Sequence, residues 1–321
     1  MTHSESLPNF SAPSIQDAAE KLMAGQLVAF PTETVYGLGA DATNQNAVAR
    51  IYTVKGRPVN HPLIIHTSSI DALAVWAQNI PSFAMELAHT FWPGPMTLIL
   101  QRTQIAKNFI TGGQDSVGIR VPNHPMALEL LTRFESLGGL GIAAPSANRF
   151  GQVSPTTCDA VIEEIGDYLE VGDFVLDGGQ SEVGIESTII DCTKEFPSIL
   201  RPGSITELMI SQIENLVPIH QENKIRASGS FARHYAPAAK ILVNQTPING
   251  QAYYAMAEFS TPLGVYRVSS PTSEEQFARD LYATMRQVDS LGYKQLVIQV
   301  PNGKGLPEAI ADRVRKSAGG R

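Results

Sequence analysis

Cysteine is almost missing from these 321 residues; only Cys158 and Cys192 occur, in no CxxC arrangement. That excludes a disulfide-stapled scaffold and leaves two reduced thiols as the expectation. The seven histidines include no close ligand pair, and His61 and His66 stand apart across a loop and a strand, so no metal site is expected. No run approaches the ~18 apolar residues of a membrane span. The opening MTHSESLPNF has no basic start and no apolar stretch, so it does not read as a signal peptide. GxxxxGK[ST], GxSxG and HExxH are absent, which excludes a P-loop, a nucleophile elbow and a zincin site.

Cations are also scarce, and unevenly so. The net charge is -7. Residues 1–238 hold 14 Lys and Arg against 24 acids, whereas residues 239–321 hold 10 against 7. Between Asp159 and Glu182 there are eight acids and no base. Such a body is unsuited to coating nucleic acid or an anionic membrane. Its few cations cluster in Gly/Pro/Ser-rich segments: Lys55, Arg57, Arg120, Arg149, Arg201 and Arg233. Together they suggest a local anion site, although each alone could cap a helix or pair with a surface acid.

What is plentiful is glycine and proline, 26 and 21 residues, which implies many shaped loops. The length suggests two domains. Short branched runs read as strands at 27–30, 63–66, 97–101, 117–121, 141–144, 174–177, 187–191 and 198–201. Helical patterns cover 14–24, 45–54, 82–91, 125–135, 157–165 and 204–214, and PTETVYGLGADA (31–42) reads as a loop. The fold class is α/β, with a twisted mixed sheet at residues 8–216. Residues 217–238 read as a linker. Strands at 240–243, 263–267 and 295–300 with helices over 274–289 and 307–317 then suggest a small Rossmann-like α/β domain at 239–321. On the first of these helices Phe277, Leu281, Met285 and Val288 share one face.

Gly37-x-Gly39-x-x-Ala42 resembles a dinucleotide fingerprint, but PTETVY separates it from the strand and no acid follows about 20 residues on. Turn-shaping glycines are the better reading. The remaining candidates lie at strand ends. Lys55 and Arg57 flank Gly56, a point charge and a planar fork suited to phosphate. Ser146 and Asn148 offer a hydroxyl and an amide in a PSAN turn. Arg120 faces away from Ile119 and Val121, so it needs an anionic partner, either a ligand carboxylate or one of the protein's own acids. Arg201-Pro-Gly ends another strand.

These segments, in order, resemble the YrdC-type family in its longer form, the L-threonylcarbamoyladenylate synthases. The carriers are PTETVYGLGADA, KGRPVNHPLIIH, FWPGPMTLIL, SVGIRVPNHP, APSANRFGQVSPT, GIESTIID, LRPG and RHYAP, with AIADRVRKSA a weaker match near the end. The resemblance implies a cytoplasmic nucleotidyltransferase that makes threonylcarbamoyl-adenylate and pyrophosphate from L-threonine, bicarbonate and ATP, with Mg²⁺. A separate tRNA threonylcarbamoyl transferase complex would use the product, with no stable direct nucleic-acid binding by this chain. It implies Lys55, Arg57, Ser146 and Asn148 as the catalytic polar core. It assigns ATP to Arg57, His61, Ser116, Ser146, Ser154, Arg201 and Tyr235, and threonine to Thr34, His66, Arg120, Ala144 and Ser187, with Thr188 adjoining. The chain departs from the family at His61, commonly asparagine, and in the linker ASGSFARHYAP, usually SPGMKYRHYAP, although His234 and Tyr235 are kept.

A carbamate nucleophile is already anionic, so the chemistry needs cations and alignment more than a general base. Lys55→Ala or Arg57→Ala is therefore expected to reduce adenylate formation more than folding. The alternatives are a non-enzymatic RNA-binding module, a carbamoyl-adenylate enzyme of the hydrogenase-maturation type, whose extra cysteine-bearing segments this chain cannot supply, and an NAD enzyme.

Overall fold

The structure, a computed structural model, describes residues 14–213, 216–218, 225–226 and 235–319. Nine strands build the first sheet: β1 (Val28–Phe30), β2 (Gly37–Asp41), β3 (Ile64–His66), β4 (Met96–Gln101), β5 (Ser116–Arg120), β6 (Ile142–Ala143), β7 (Phe174–Val175), β8 (Thr188–Asp191) and β9 (Ser198–Arg201). Their order is β7-β1-β2-β6-β3-β5-β4-β8-β9. β1 and β7, β3 and β5, and β4 and β8 pair in parallel, and the other neighbours are antiparallel. The sheet is therefore mixed, as the adjacent short strands imply.

Both faces are covered, and side-chain alternation assigns them. Val28 and Phe30 point to a layer formed by the helices Ile15–Met23 and Pro125–Ser136, through Ala18, Leu22, Leu130 and Phe134. Leu27 and Ala29 point the other way, into the larger core with Val48, Ile51, Trp76 and Leu87. The helix ends follow local chemistry. Ser14 and Asp17 form a capping box, and Asn44 caps Gln45–Lys55 by accepting from the N–H groups of Asn46 and Ala47.

The segment 31–42 is not all loop: its second half is β2, paired with β1. Gly39 is there for close approach. A Cβ on it would sit 2.8 Å from both Ile142 and Phe30 side chains. The glycines of the dinucleotide-like pattern thus lie in a strand, not in a phosphate-binding turn. The helix expected over 204–214 is confined to Glu207–Ser211, and short helices at Leu73–Trp76 and Asn108–Thr111 were not anticipated.

The second sheet is wholly parallel, in the order β10 (Lys240–Val243), β13 (Gln295–Ile298), β11 (Ala252–Tyr254), β12 (Tyr266–Ser269). β11 adds a strand to the three read from sequence, and β12 starts later than expected. The helix Glu274–Ser290 buries Phe277, Leu281, Met285 and Val288, as its period requires. The helix Leu306–Ala318 completes this half.

The two halves share a core. Val35, Val153 and Ile185 from the first pack among Phe277, Leu281 and Val314 of the second, together with Tyr235 of the linker. Gly184 has φ +75°, and a Cβ there would meet the Arg279 backbone at 2.3 Å. Arg286 pairs with Glu164 at 3.0 Å across the same boundary. Much of the 217–238 linker, including Arg233 and His234, lies outside the described residues.

Candidate active site

The site is organised by the turn that follows β6. Leu38 N–H donates to Pro145 O and Ala147 N–H to Tyr36 O, so β2 straps the PSAN segment down. From below, the Lys55 ammonium donates to the carbonyls of Ser146 and Asn148, at 2.5 Å each. Lys55 is 2% exposed, and burial first, then the neighbouring Arg57 charge, push its pKa well down. The Asn148 amide nitrogen donates to the carbonyls of Arg149 and Gln152. Lys55 and Asn148 thus build the turn and do not line the cavity beside it. That alters the expectation for Lys55→Ala, which removes a folding contact as well.

The cavity gathers residues far apart in sequence. Thr34, His66, Arg120 and Ala144 line one end, and Arg57, Ser146, Ser187, Arg201 and Tyr235 line it as well. Arg120 reaches Glu33 at 2.7 Å, with both side chains buried, so one of the protein's own acids supplies the anionic partner. His66 is held neutral, its pKa lowered to about 3 by burial and by Arg120. Ala144 N–H donates to Ile64 O, so its carbonyl is the backbone group it can offer a ligand. The Thr34 hydroxyl lies 2.9 Å from that of Thr32.

At the other end, Arg201 Nε donates to Ser187 O at 3.0 Å and its NH2 to Ser187 Oγ at 3.1 Å. The Thr188 hydroxyl donates instead to Ile205 O, so of the two neighbours Ser187 faces the cavity. Arg57 donates to Pro62 O at 3.0 Å, and burial lowers it to about 10, still cationic at neutral pH. Tyr235 has φ +62° and is buried, its ring 5.6 Å from that of Tyr282.

Three expected contacts stand outside the cavity lining. Ser154 gives its hydroxyl to Glu186 at 2.7 Å. His61 packs on Phe150 with ring centroids 5.3 Å apart, and burial, Arg57 and Arg226 lower its pKa to about 4. Ser116 lines a separate depression with Pro62, Gln114 and Arg226. Among the loop cations, Arg149 turns away to the Thr53 and Val54 carbonyls at the end of a helix and stacks on Tyr168. Sequence reasoning missed Glu33, Glu186, Tyr282 and Arg313. Arg313 left a signal: it falls on the apolar stripe Ala309, Ile310, Val314 of its helix, where an arginine needs a buried partner.

Residues 20–203 match the Sua5/YciO/YrdC family, described as "Telomere recombination". Residues 205–319 match "Threonylcarbamoyl-AMP synthase, C-terminal domain". The chain is 39% identical to the threonylcarbamoyl-AMP synthase of Pyrococcus abyssi, over 96% of this chain and 94% of the relative. It is 36% identical to that of Bacillus subtilis, with the same coverage. The crystal structure of P. abyssi Sua5 complexed with L-threonine superposes with a TM-score of 0.85 at 37% identity, covering 96% of this chain and 94% of that one.

Proposed function

This chain belongs to the threonylcarbamoyl-AMP synthase family, and from that premise we propose that its cavity joins L-threonine, bicarbonate and ATP into L-threonylcarbamoyladenylate. The observation that carries this reading is the convergence of Arg57, Arg120 and Arg201 on one cavity lined by hydroxyls and a neutral imidazole. The threonine amine adds to the bicarbonate carbon, forming the C–N bond and releasing water. A carbamate oxygen then attacks the α-phosphorus, and the bond to the β-phosphate oxygen breaks as pyrophosphate leaves. Both reactants of the second step are anions, so preorganised cations lower its barrier.

Arg120 takes the threonine carboxylate, backed by Glu33. His66, Thr34 and Ser187 meet its polar groups, and the Ala144 carbonyl accepts from its amine. Arg57, Arg201 and Ser146 face the phosphates, with His61 and Ser116 toward the nucleotide and Ser154 acting through Glu186. Lys55 and Asn148 hold the turn that positions Ser146. Segment 217–238 acts as a lid, with Tyr235 its inner residue.

Among the described residues two carboxylates stand at this site, Glu33 and Glu186, and both are committed to arginines. They do not form a magnesium cage, so Mg²⁺ enters as part of its substrate, Mg-ATP. Among the described residues no helix is long and apolar enough to cross a membrane. A cytoplasmic protein that hands its small product to a tRNA-modifying transferase complex, without itself holding nucleic acid, fits the acidic body. The test is mass spectrometry of a reaction with threonine, bicarbonate and Mg-ATP. The adduct and pyrophosphate are expected only with all three present. ATP consumption that ignores threonine, or no adduct, overturns the reading.

A further inference from the structure

Glu186 is a carboxylate lining a cavity meant for anions, and its neutralisation comes from the other half of the molecule. Its oxygens accept from Ser154 Oγ at 2.7 Å, from Tyr282 OH at 2.9 and 3.2 Å, and from Arg313 Nε at 2.7 Å. Arg313 is fully buried and also donates to the carbonyls of Glu186 and Pro202, at 3.2 and 3.0 Å, and to Asp312 Oδ2 at 2.6 Å. Lys316 pairs with that same carboxylate at 2.8 Å, so Arg313 and Lys316 match Asp312 and Glu186 together. Its guanidinium lies 5.7 Å from the Tyr235 ring centre, and Ser317, one turn on, donates to Tyr235 O at 2.9 Å. Tyr282 and Arg313 belong to the helices Glu274–Ser290 and Leu306–Ala318.

We propose that Arg313 is a positioning residue for the nucleotide end of the cavity: by neutralising Glu186 across the domain boundary, it keeps the charge of Arg201 directed at the triphosphate. Arg201 lines the same cavity, bonds to Ser187 beside Glu186, and shares the field of that carboxylate. Without Arg313 it would become that carboxylate's counter-ion, and an uncompensated negative charge would face the phosphates. Burial alone would raise the Glu186 pKa, yet Arg313, Arg201 and the Ser154 hydrogen bond hold it down at about 2, so the group is charged at neutral pH. This gives the C-terminal half a role in the chemistry itself, and it rests on the adenylate-forming reading above.

The full chain carries the test. Wild-type adduct formation is measured first; its absence would fail the functional reading, not this one. With an active wild type, Arg313→Met is expected to raise KM for ATP about tenfold while KM for threonine changes less than threefold. The double variant Arg313→Met/Glu186→Gln should return KM for ATP to within about threefold of wild type, because the unmatched charge is gone. A merely structural Arg313 would lower activity toward both substrates and would not be rescued. If Arg313→Met does not fold, Glu186→Gln alone decides by calorimetric titration: ATP affinity should rise severalfold, and unchanged or weaker binding overturns the proposal.

Discussion

The two ends of the cavity are built on different plans. The end holding Arg120, Glu33, His66 and Thr34 is made wholly within the first half, on β3, β5 and the loop before β2. Its charge is balanced locally, 2.7 Å from cation to carboxylate. The end holding Arg201, Ser187 and Glu186 is balanced from the second half, through Arg313 and Tyr282. A small amino acid can be read by a rigid sheet edge. On the proposed assignment, a polyanionic nucleotide requires more charge control than the acidic first half supplies, and the second half brings it.

The sharpest way to break this contrast is Arg120→Ala. Removing one partner of a buried ion pair costs about 2–5 kcal/mol. A loss of about 100-fold or more in kcat/KM for threonine is therefore expected, with KM for ATP changing less than threefold. Equal losses toward both substrates would erase the distinction between the ends.

Lys55→Met should act on both ends together, since its ammonium supports the turn between them. Two carbonyls lose their buried donor, worth about 2–4 kcal/mol in all. Thermal unfolding is expected at a clearly lower temperature, and an unchanged Tm would return Lys55 to a ligand-facing role. Gly184→Ala tests the boundary alone. Forcing a side chain to φ +75° against the Arg279 backbone costs about 1–3 kcal/mol. KM for ATP should rise roughly fivefold in steady-state assays while KM for threonine stays put.

The smallest effect is in the pH dependence of stability, where the ends separate by window. His66 has a folded pKa of about 3, below its unfolded value near 6.5, so the unfolded chain binds the extra proton between them. Stability therefore falls as pH drops through that range. Glu186, at about 2 against an unfolded 4.5, contributes stability above 4.5 that is lost only below it. His66→Asn should flatten the decline in Tm between pH 6.5 and 5. An unchanged slope there would mean that His66 is protonated in the folded protein.

Much of this was legible in the residues. Branched runs such as TLILQ gave their strands away, and the apolar period of Glu274–Ser290 named its buried face. β2 was hidden because GLGAD has almost no β-branched or aromatic side chain, and only the fit of Gly39 against Phe30 and Ile142 explains it. β11 is too short for alternation to register. For Arg120 the need for an anion was readable and its identity was not, since Glu33 is 87 positions away in the chain. Lys55 illustrates the opposite limit: a lysine beside a glycine reads as a phosphate ligand, and only tertiary placement reveals two carbonyls above it. Arg313 could be flagged as buried, but nothing local announces Glu186.

The Glu186–Arg313 bond spans 127 positions. Contacts so distant close late, after local helices and hairpins have formed. Glu186 therefore stays unmatched until the two halves meet and the shared core of Val35, Val153 and Ile185 with Phe277 and Leu281 closes. On the proposed role of Arg313, adenylate formation then requires the whole polypeptide, because the carboxylate at the nucleotide end is matched only once the second half is in place. In that role the ion pair works as a built-in completion check.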